Sequence, residues 1–513
     1  MKNLLFGFLV VPILFGCNPI SERKQPMPSL PQLASMDLKL DGPKLAEVYC
    51  GNCHLKPEPE ILDQRTWKNS VLPDMRRRLG LYLAEDMGVS LPEERGVPKG
   101  VYSEYPLIKQ RDWDKIVTYY LENAPESPSR QVGKQEPQVG IPGFELIIPA
   151  YDFQFPSLTT LVDIHPKTGE IWLGHRYQKL FVLDPLEGFG IKDSVSTSIA
   201  PVSIRWNSDQ SFDLLTMGLM DPANDSVGKL TNFRKINQEW VDFQDLESLT
   251  RPVHVSYGDL NGDGVEDKVV AHFGDHLGRL SVYFSGMEGL KEKVIKALPG
   301  ARKTILTDFD QDGDLDIIGL MTQAWEGVYL WENDGKGNFK EQVLLQFQPA
   351  FGSSDVHYQD VDGDGLADLI LVNGDNADLS QILKYFHGVR IFKNQGNGTF
   401  EESWFYPMHG ATGLEVGDFN EDGHLDIVAL AFFPDPEQIP EQQLIFFFGD
   451  GKGGFSSYVP EGLPDLSLLT VKKGDVDRDG DLDLVVGTFS FEDLYRRRKS
   501  DWLPFVMFQN NIR

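Results

Sequence analysis

The sequence predicts a mostly β chain in which a seven-bladed β-propeller follows a small all-α domain. Two observations predict this architecture. A nine-residue phrase rich in aspartate recurs along the second half of the chain, and each clear copy is followed by apolar runs of strand length. Upstream, helical apolar spacing lies on both sides of a Cys-x-x-Cys-His motif at residues 50–54.

The phrase is clearest at Asp308 to Asp316, DFDQDGDLD, where aspartates occupy positions 1, 3, 5 and 9. Alternate carboxylates can face one hard cation only if the backbone turns tightly, and Gly313 at position 6 permits that turn. The apolar residues from Leu315 onward indicate that the loop leads into a strand and not into a helix. The phrase therefore predicts a calcium loop.

Four further copies begin at Asp259, Asp360, Asp418 and Asp475, and successive starting positions differ by 49, 52, 58 and 57 residues. A period of this length is typical of propeller blades, so we expect about five calcium ions, one in each loop. The predicted ligands occupy positions 1, 3, 5 and 9 of each copy. They are Asp259, Asn261, Asp263, Asp267, Asp308, Asp310, Asp312, Asp316, Asp360, Asp362, Asp364, Asp368, Asp418, Asn420, Asp422, Asp426, Asp475, Asp477, Asp479 and Asp483.

Each copy is followed by a first apolar run and later by a second one, such as DIIGLM and VYLWEN in the copy that begins at Asp308. In three copies a glycine-rich turn then leads to a phenylalanine, at Phe339, Phe400 and Phe455. This order of strands and turns corresponds to one four-stranded propeller blade.

Two weaker copies upstream bring the count of blades to seven. Asp163 begins one of them. The other has Arg205, Asn207, Asp209 and Asp213 at positions 1, 3, 5 and 9. Neither copy has enough carboxylates to predict a bound cation.

The last predicted blade lacks an outer strand of its own. Residues 143–149, GFELIIP, resemble residues 454–460, GFSSYVP, and lie at a similar distance before the next phrase. We therefore predict that residues 143–149 supply the missing strand and close the ring, which removes exposed strand edges.

On these repeats, residues 143–513 resemble the FG-GAP and VCBS repeat proteins, whose propeller blades carry calcium loops of this kind, as in the integrin head. The resemblance implies a fold and a bound metal. It does not imply one activity, because propellers of this family serve adhesion, ligand binding and enzymology.

The formal net charge of the chain is −29, and five Ca²⁺ ions would bring it to −19. Part of the acidity is therefore expected to be ligand charge. The remaining negative charge argues against binding of nucleic acid or of an anionic membrane surface through charge.

The N-terminus has the layout of a secretory signal, with Lys2 followed by an apolar run from Leu4 to Gly16 and then Cys17. The end of this run resembles the bacterial lipobox. We therefore expect residues 1–17 to be a lipoprotein signal peptide and Cys17 to be acylated; ordinary cleaved secretion and an uncleaved anchor are the alternatives. The expected location is a bacterial membrane, periplasmic or at the cell surface, and Asn18 favours the outer membrane.

Residues 50–54, CGNCH, match the attachment motif of c-type haem. The motif needs two thiols on one turn for thioether bonds to the porphyrin, and a histidine directly after them to ligate the iron. Cys50, Cys53 and His54 are therefore predicted to hold haem c. With Cys17 assigned to the lipid, no cysteine remains for a Cys₄ zinc site or a structural disulfide. A redox dithiol and a chance match are the alternatives.

The surroundings of the motif predict an all-α cytochrome c domain over residues 41–125. Residues 42–49 and 113–121 have the apolar spacing of short helices. His54 is the only histidine before His165, so we expect a methionine as the second axial ligand of the iron.

Met75 is the predicted axial methionine, because it follows Pro73 and lies 21 residues after His54. Met87 is the alternative, and Met75 could instead be part of the core. The basic run at residues 76–78 could meet haem propionates, although such a run on a helix is more often a solvated face. Residues 18–40 contain several prolines and are predicted to be an extended tether, and residues 126–142 a polar linker.

A ligand site at the mouth of the central channel is a weaker prediction. The innermost strand of each blade begins at the face opposite the calcium loops. The residues five positions before three consecutive phrases are His254, Lys303 and Asp355, which could converge as catalytic or binding groups. A solvated polar lining without a chemical role is the alternative. Neighbours in sequence are Arg251, Arg302, His357, His409 and Thr412.

We do not expect the remaining histidines to ligate metals, and we predict that they lie in loops or on the surface. They are His165, His175, His272, His276, His387 and His424.

Two classes of function agree with these features. The first is an exported, lipid-anchored c-type cytochrome that performs one-electron transfer, with a calcium-stabilised propeller that docks a redox partner protein or a small-molecule or glycan ligand. A stronger version is a periplasmic sugar or polyol oxidoreductase with His254 or Asp355 as the base, although it lacks a hydride-accepting cofactor. The second class is a surface binding or adhesion propeller for glycan or protein with an accessory haem.

Overall fold

The computed structural model of the chain describes residues 28–83, 97–133, 135–287, 289–376, 380–496 and 501–512. The predicted signal peptide with Cys17, and the alternative ligand Met87, lie outside the described residues. Within the described ranges, every helix is too short or too polar to cross a membrane.

The helices near the N-terminus begin with α1 (Leu30–Ser35) and α2 (Gly42–Cys50) and end with α5 (Gln110–Asn123). Between them lie a 3₁₀ turn (Pro59–Ile61), α3 (Gln64–Thr66), a π-helical segment (Trp67–Val71) and α4 (Leu72–Arg78). The Asp41 carboxylate caps α2 by accepting a hydrogen bond from the Lys44 N–H at 3.1 Å. The π-helical segment ends directly before Pro73, which cannot donate a backbone hydrogen bond. The Leu72 N–H donates to the Trp67 carbonyl, five residues earlier, which is the wider spacing of a π-helix.

These helices share one apolar core, which we call the helical unit. Helix α2 packs against α5, and the two helices contribute the buried side chains Leu45, Tyr49, Trp113, Ile116 and Tyr120. The spacing of these residues by three or four positions places them on one face of each helix. The helices predicted at residues 42–49 and 113–121 are therefore present.

The predicted tether differs from the structure over residues 30–40. Leu33, in α1, is only 2% exposed within the helical core, and Leu38 and Leu40 pack against the same core. The prolines of this segment indicated an extended chain, but Pro31 lies in the first turn of α1, where its missing N–H is tolerated. Burial of leucine side chains then fixes the segment against the helical unit.

Seven sheets, each with a core of four strands, form the blades of a propeller. Blade 1 contains β3 (Thr159–Ile164), β4 (Ile171–His175), β5 (Lys179–Asp184) and β6 (Gly190–Ser196), with a 3₁₀ turn at Pro185–Glu187. Blade 2 contains β7 (Pro201–Ser208), β8 (Ser211–Thr216), β9 (Gly228–Ile236) and β10 (Glu239–Leu249). Blade 3 contains β11 (Pro252–Gly258), β12 (Asp267–His272), β13 (Arg279–Phe284) and β14 (Lys291–Lys296).

Blade 4 contains β15 (Ala301–Thr307), β16 (Asp316–Met321), β17 (Gly327–Asn333) and β18 (Phe339–Gln346). Blade 5 contains β19 (Ser353–Gln359), β20 (Asp368–Asn373), β21 (Gly388–Asn394) and β22 (Phe400–Pro407). Blade 6 contains β23 (Ala411–Gly417), β24 (Asp426–Ala431), β25 (Leu444–Gly449) and β26 (Phe455–Val459). Blade 7 contains β27 (Leu468–Gly474), β28 (Asp483–Thr488) and β29 (Phe505–Asn510), and helix α6 (Phe491–Arg496) lies between its last two strands.

The first strand of each blade contacts the first strand of the next, so these strands line the centre of the ring. The second strands of blades 4 to 7 are buried along their whole length, because each sheet packs against a neighbour on both faces. This explains why their sequences are continuous apolar runs and do not alternate with polar residues. The predicted mostly β fold with seven blades is confirmed.

The ring is closed by strand β2 (Phe144–Ile147), which pairs antiparallel with β29 and is the outer strand of blade 7. Phe144 lies opposite Asn510, and Ile147 opposite Met507. The Phe144 ring also lies 5.0 Å from the Phe446 ring of blade 6. The predicted closure by residues 143–149 is therefore present, and an early segment of the chain completes the last blade.

The predicted linker is partly ordered on the propeller. Strand β1 (Gln138–Val139) pairs in parallel with β26 and adds a fifth strand to blade 6. The Tyr406 hydroxyl donates to the Gln135 carbonyl at 2.9 Å. Part of residues 126–142 therefore continues a blade edge, which the polar composition did not predict.

The helical unit lies against the propeller face opposite the five acidic loops that join first and second strands. The Glu58 N–H donates to the Gln348 side-chain oxygen at 2.8 Å, and Ile382 packs against the helical core. Gln348 lies between blades 4 and 5, and Ile382 between the second and third strands of blade 5. These connections emerge at the face opposite the loops that join first and second strands. The sequence alone did not predict which face of the propeller the helical unit contacts.

A buried carboxyl lies next to this contact region. Glu326 is 2% exposed, and its side chain accepts a hydrogen bond from the Ser353 N–H at 2.6 Å. Burial raises the pKa of Glu326 to about 7, although the Ser353 N–H partly opposes the shift. Because the folded-state pKa exceeds the ordinary value, the contribution of Glu326 to stability is complete at low pH and is lost as the pH rises towards 7.

Glu326→Gln should increase the free energy of unfolding more at pH 8 than at pH 4.5, and we expect the difference to be about 3 kcal/mol. The reason is that the amide keeps the hydrogen-bond acceptor but never ionises. Thermal unfolding of both proteins across this pH range measures the difference. Glu401, which is exposed on β22, provides the matched control: at pH 8, Glu401→Gln should raise the melting temperature much less than Glu326→Gln, because it removes no buried carboxyl. A stability difference for Glu326→Gln that does not change with pH would contradict the prediction.

Candidate functional site

Five acidic loops join the first and second strands of blades 3 to 7, as predicted from the repeats. In the loop at residues 308–316, Gly313 has φ +97° and its N–H donates to the Asp308 carboxylate at 3.1 Å. The glycine at position 6 makes the corresponding bond at residues 264, 365 and 423. Position 4 also adopts positive φ in every loop, including the non-glycine residues Gln311, Glu421 and Arg478. Two left-handed residues therefore give each loop its tight turn.

Three loops gather carboxylates at positions 1, 3 and 9 within 4.8 Å of one another. The groups are Asp308, Asp310 and Asp316; Asp360, Asp362 and Asp368; and Asp475, Asp477 and Asp483. Carboxylate oxygens around a tight backbone turn are ligands that Ca²⁺ prefers. These clusters are compatible with calcium binding, whereas the aspartate at position 5 lies outside each cluster.

In the loops at residues 259–267 and 418–426, asparagine replaces aspartate at position 3. The Asn261 side-chain amide donates to Asp263 at 3.2 Å, and the Asn420 amide donates to Asp422 at 3.1 Å. An amide oxygen can still ligate Ca²⁺, but each of these loops carries one carboxylate fewer. We therefore expect weaker calcium binding at these two loops than at the other three.

A lysine interacts with the loop of blade 5. The Lys393 ammonium lies 3.1 Å from Asp364 and also pairs with Asp362. These two carboxylates raise the pKa of Lys393, so the side chain stays charged. Calcium binding at residues 360–368 would have to compete with this lysine for Asp362.

The aspartate at position 9 has a structural role in all five loops. Each one is at most 1% exposed and accepts hydrogen bonds from at least two backbone N–H groups. In blade 4, Asp316 accepts from Phe309 at 2.9 Å and from Asn333 at 2.7 Å. Equivalent pairs of bonds are made by Asp267, Asp368, Asp426 and Asp483. The aspartate at position 9 therefore links the loop to the end of the third strand by hydrogen bonds, and in three loops it also belongs to the carboxylate cluster.

Asparagines at the end of the third strand connect neighbouring blades. The Asn333 amide donates to the Leu315 carbonyl in its own blade and to the Leu260 carbonyl in blade 3, both at 3.0 Å. Asn510 similarly bonds Leu482 and, in blade 6, Phe419. The sequence analysis missed these residues, although the recurrence of asparagine after VYLWE, VRIFK and VMFQ was a detectable signal.

The two weak copies do not form acidic loops. In blade 2, Ser208 pairs with Ser211, so the first two strands are joined by a short hairpin and Arg205 lies opposite Asp213. Arg205 instead makes a bidentate ion pair with Glu266 of blade 3, with one bond of 2.8 Å. Asp163 in blade 1 is buried and accepts from the Trp206 indole N–H at 2.9 Å. In blade 2 an ion pair, and in blade 1 a hydrogen bond to a tryptophan, therefore take the place of metal ligation.

The expectation that the remaining histidines lie in loops or on the surface is wrong for His175 and His272, which are buried last residues of strands β4 and β12. His165 and His387 lie in loops, as expected, although both are at most 4% exposed. Burial lowers the pKa of His175 to about 4 and that of His272 to about 3, so both rings are neutral at physiological pH. His424 is exposed, as expected. A neutral imidazole packs among aromatic rings without the cost of burying a charge, as His175 does beside Phe155.

The structure brings two of the three channel-mouth candidates together. Lys303 Nζ lies 2.5 Å from Asp355 Oδ1, and the Leu414 N–H donates to Asp355 Oδ2 at 3.3 Å. Burial would raise the pKa of Asp355, but the Lys303 ammonium outweighs it, and the pKa is lowered. His254 Nδ1 lies 3.2 Å from the Thr304 hydroxyl, and burial lowers the pKa of His254 to about 4.

Two arginines close to this mouth in sequence are held by backbone carbonyls. Arg251 donates to the carbonyls of Gly274 and Met220 at 2.8 and 2.7 Å. Arg302 donates to the Ser354 carbonyl. Both guanidinium groups are therefore held by carbonyls at the ends of blades.

The Cys-x-x-Cys-His motif lies at the end of α2. Cys50 is the last residue of the helix, and the N–H groups of Cys53 and His54 both donate to its carbonyl, at 3.0 and 3.1 Å. Neither cysteine forms a disulfide. His54 Nδ1 lies 2.7 Å from the Leu55 carbonyl, which leaves Nε2 as the other ring nitrogen.

Met75 lies in α4, half-buried against the helical core. The basic run beside it is not a solvated face. Arg76 is 8% exposed, Arg78 bonds Asp74 at 3.0 Å, and its guanidinium lies over the Tyr102 ring. Pro73 occupies the first turn of α4, where proline is compatible with a helix.

Comparison with known proteins identifies the repeats in blades 4 to 6. The sequence profile of the FG-GAP-like repeat matches residues 308–371 and 360–429. These two stretches are FG-GAP-like repeats. The predicted propeller with FG-GAP repeats is thereby supported, and a propeller of this kind is compatible with docking a protein or a ligand.

No curated protein matches the chain in sequence. Among solved structures, one similar chain comes from the S. cerevisiae complex of a Dbp5 variant bound to Nup159, a Gle1 variant, IP6 and ADP. It is 10% identical, with a TM-score of 0.42, over 74% of this chain and 99% of that one. A likeness at this level adds nothing to the assignment of function.

We expect Asp308→Asn to weaken calcium binding at the blade 4 loop on the order of tenfold, because one of three clustered carboxylates loses its charge. Isothermal titration of chelator-treated full-length protein with Ca²⁺ measures this change. Asp209→Asn, at position 5 of the weak copy in blade 2, serves as the control and should leave calcium binding intact. Identical titrations for wild type and Asp308→Asn would refute calcium ligation by this loop.

We expect Asn510→Ala to destabilise the propeller by about 2 kcal/mol, because the buried carbonyls of Phe419 and Leu482 lose a donor. Urea unfolding followed by tryptophan fluorescence measures the loss. The exposed neighbour Asn511 gives the control, since Asn511→Ala removes no buried bond. Equal unfolding midpoints for the two variants would show that Asn510 does not join blades 6 and 7.

Proposed function

We propose that the chain is an exported, lipid-anchored c-type cytochrome that transfers one electron, and that its calcium-binding propeller docks the redox partner or ligand. The observation that carries this proposal is the CGNCH motif at the end of α2, within a compact helical unit packed against the propeller. Membrane attachment through Cys17 is a further part of the proposal, based on the sequence of residues 1–17.

The donor set of the motif fits a covalently attached haem. Both thiols are free of a disulfide and lie on one turn, so Cys50 and Cys53 are available for thioether bonds. The hydrogen bond from His54 Nδ1–H to the Leu55 carbonyl orients the ring and leaves Nε2 for the iron. Burial lowers the pKa of His54, and the Arg78 cation acts in the same direction, which favours the neutral imidazole that ligates metals.

Helix α4 carries the residues proposed to complete the site. Met75 would supply the second axial ligand, and its position in the same helix as Arg78 supports this assignment. Burial raises the pKa of the Cys53 thiol and the Arg78 cation partly opposes this shift, whereas burial lowers the pKa of His54 and the same cation adds to it. Arg78 therefore lies near both side chains and is a suitable partner for a haem propionate. When bound, haem c would accept and donate one electron.

The propeller is proposed as the docking element because its FG-GAP-like repeats form a rigid scaffold with an accessible face. The helical unit contacts that scaffold through Glu58, Ile382 and the segment that ends at β1. A partner bound near the channel mouth would lie on the same side of the ring as the helical unit. The calcium loops, on the other side, would stabilise the blades without contacting this partner.

A polyol or sugar oxidoreductase receives less support from the geometry. Lys303 and Asp355 neutralise each other at 2.5 Å, so neither is free to act as a general base. His254 would be neutral, but its pKa of about 4 makes it a weak base at pH 7. Surface binding or adhesion with an accessory haem is the other candidate, and the experiment below distinguishes it from electron transfer.

The proposal predicts a covalent haem in full-length protein matured in a host competent for cytochrome c. Reduced-minus-oxidised visible spectra and a pyridine haemochrome measurement test this. Cys50→Ser combined with Cys53→Ser should abolish covalent attachment, and Met75→Ala should remove the absorption band that depends on a thioether ligand. Met36, which is 45% exposed, provides the control, because Met36→Ala should leave the spectrum unchanged.

Wild-type protein without covalent haem under these conditions would overturn the redox proposal and leave a calcium propeller whose function is binding. A covalent haem whose spectrum is unaffected by Met75→Ala would keep the electron-transfer proposal but reject Met75 as the axial ligand. A reductive titration of the wild-type protein would then define the class of redox partner.

A further inference from the structure

The segment that follows the CGNCH motif, residues 55–59, has fewer backbone donors than an ordinary loop. Pro57 and Pro59 have no N–H group, so a regular ladder of backbone hydrogen bonds cannot hold the segment. Each proline also favours an extended conformation for the residue before it, and Glu58 is extended, with φ −78° and ψ 144°. The position of this segment therefore depends on side chains from outside it.

Two buried aromatic residues of the helical unit hold one side of the segment. The Tyr120 hydroxyl donates to the Pro57 carbonyl, and the Trp67 indole N–H donates to the Pro59 carbonyl, both at 2.8 Å. Tyr120 and Trp67 are at most 2% exposed, and their rings lie 4.4 Å apart. The two carbonyls are two residues apart, so they lie on the same side of an extended chain.

The propeller holds the other side of the segment. The peptide bond between Pro57 and Glu58 is trans, so it directs the Pro57 carbonyl and the Glu58 N–H to opposite sides. This N–H donates to the side-chain oxygen of Gln348 at 2.8 Å. One peptide group after the haem motif is therefore bonded to the helical unit through its carbonyl and to the propeller through its N–H.

Gln348 belongs to a connection between β18 and β19 that is itself fixed. The rings of Phe347 and Phe351, which precede and follow it, stack with their centroids 4.3 Å apart and an interplanar angle of 9°. The Phe347 N–H donates to the Glu326 carbonyl at 2.9 Å, and the Phe351 N–H donates to the Gln348 carbonyl at 3.2 Å. A side chain on a rigid element positions its partner more precisely than one on a free loop.

The same segment begins with the carbonyl that orients the proposed iron ligand. His54 Nδ1 lies 2.7 Å from the Leu55 carbonyl, and Leu55 is three residues before Glu58. A hydrogen bond from Nδ1–H to a carbonyl fixes the imidazole ring and makes it a stronger electron donor to a metal. A displacement of residues 55–58 would therefore alter both the orientation and the donor strength of His54.

We propose that Gln348 is a positioning residue, through which the propeller fixes the orientation of His54 and hence the reduction potential of the haem site. The inference deepens the proposed function and rests on it, because it requires His54 to ligate the iron. It gives the propeller a second role besides docking, since one of its side chains tunes the redox site in the neighbouring helical unit.

The first measurement is amide hydrogen exchange of the full-length protein, matured in a host competent for cytochrome c and read by mass spectrometry on peptides covering residues 55–61. Gln348→Met keeps the length of the side chain but removes the oxygen, so exchange at Glu58 should become about tenfold faster than in wild type. Gln348→Glu keeps an acceptor oxygen and should keep the protection. Pro57 and Pro59 contribute no amide signal to these peptides.

The second measurement is a mediated redox titration of the same proteins. The equilibrium constant for one-electron reduction should rise about threefold in Gln348→Met, which is about 30 mV at about 59 mV per tenfold change. The direction follows because a weaker hydrogen bond at Nδ1 stabilises the oxidised iron less. Gln244, exposed on β10 of blade 2, gives the matched control, and Gln244→Met should change neither the exchange nor the potential.

Unchanged exchange at Glu58 in Gln348→Met would overturn the inference. Faster exchange with an unchanged potential would also overturn it, because Gln348 would then only attach the helical unit. So would an equal shift of the potential in Ile382→Ala, which weakens the apolar contact with the helical unit but keeps the bond to Gln348. Wild-type protein without covalent haem would overturn both this inference and the electron-transfer proposal, whereas the other outcomes leave that proposal intact.

Discussion

Five buried aspartates at position 9 of the acidic loops hold the loops, the strands and the candidate metal clusters in one arrangement. Each accepts at least one backbone hydrogen bond from inside its loop and one from the end of the third strand of its blade. A buried carboxylate requires such donors, so the conformation of the loop depends on the register of the third strand. The position that looked like a metal ligand in the sequence is therefore also the residue that makes each blade cooperative.

The same loops connect the blades to one another. Asn333 and Asn510 extend from the end of a third strand to a carbonyl in the preceding blade, and Arg205 pairs with Glu266 where an acidic loop is missing. Blade 2 thus replaces a loop by an ion pair, and the ring keeps seven blades although only five of them carry the acidic phrase. Blade-to-blade contacts at the loop face are consequently a mixture of amide hydrogen bonds and ion pairs.

The opposite face has a different character. The helical unit packs there against the connections that contain Gln348 and Ile382, and the channel mouth contains the Lys303–Asp355 pair. The two faces are therefore divided between the acidic loops on one side and the proposed redox unit with its docking surface on the other. A partner on the helical side would be separated from the acidic loops by the full height of the strands.

The sequence by itself determined the blade count, the position of the five loops and the strand supplied by residues 143–149, because these depend on local spacing and on tight turns at glycine. It also located the short helices around residues 50–54. Only the tertiary structure decided that residues 30–40 pack as part of the helical unit, that residues 138 and 139 extend blade 6, and that four histidines are buried. These outcomes depend on neighbours far apart in the chain.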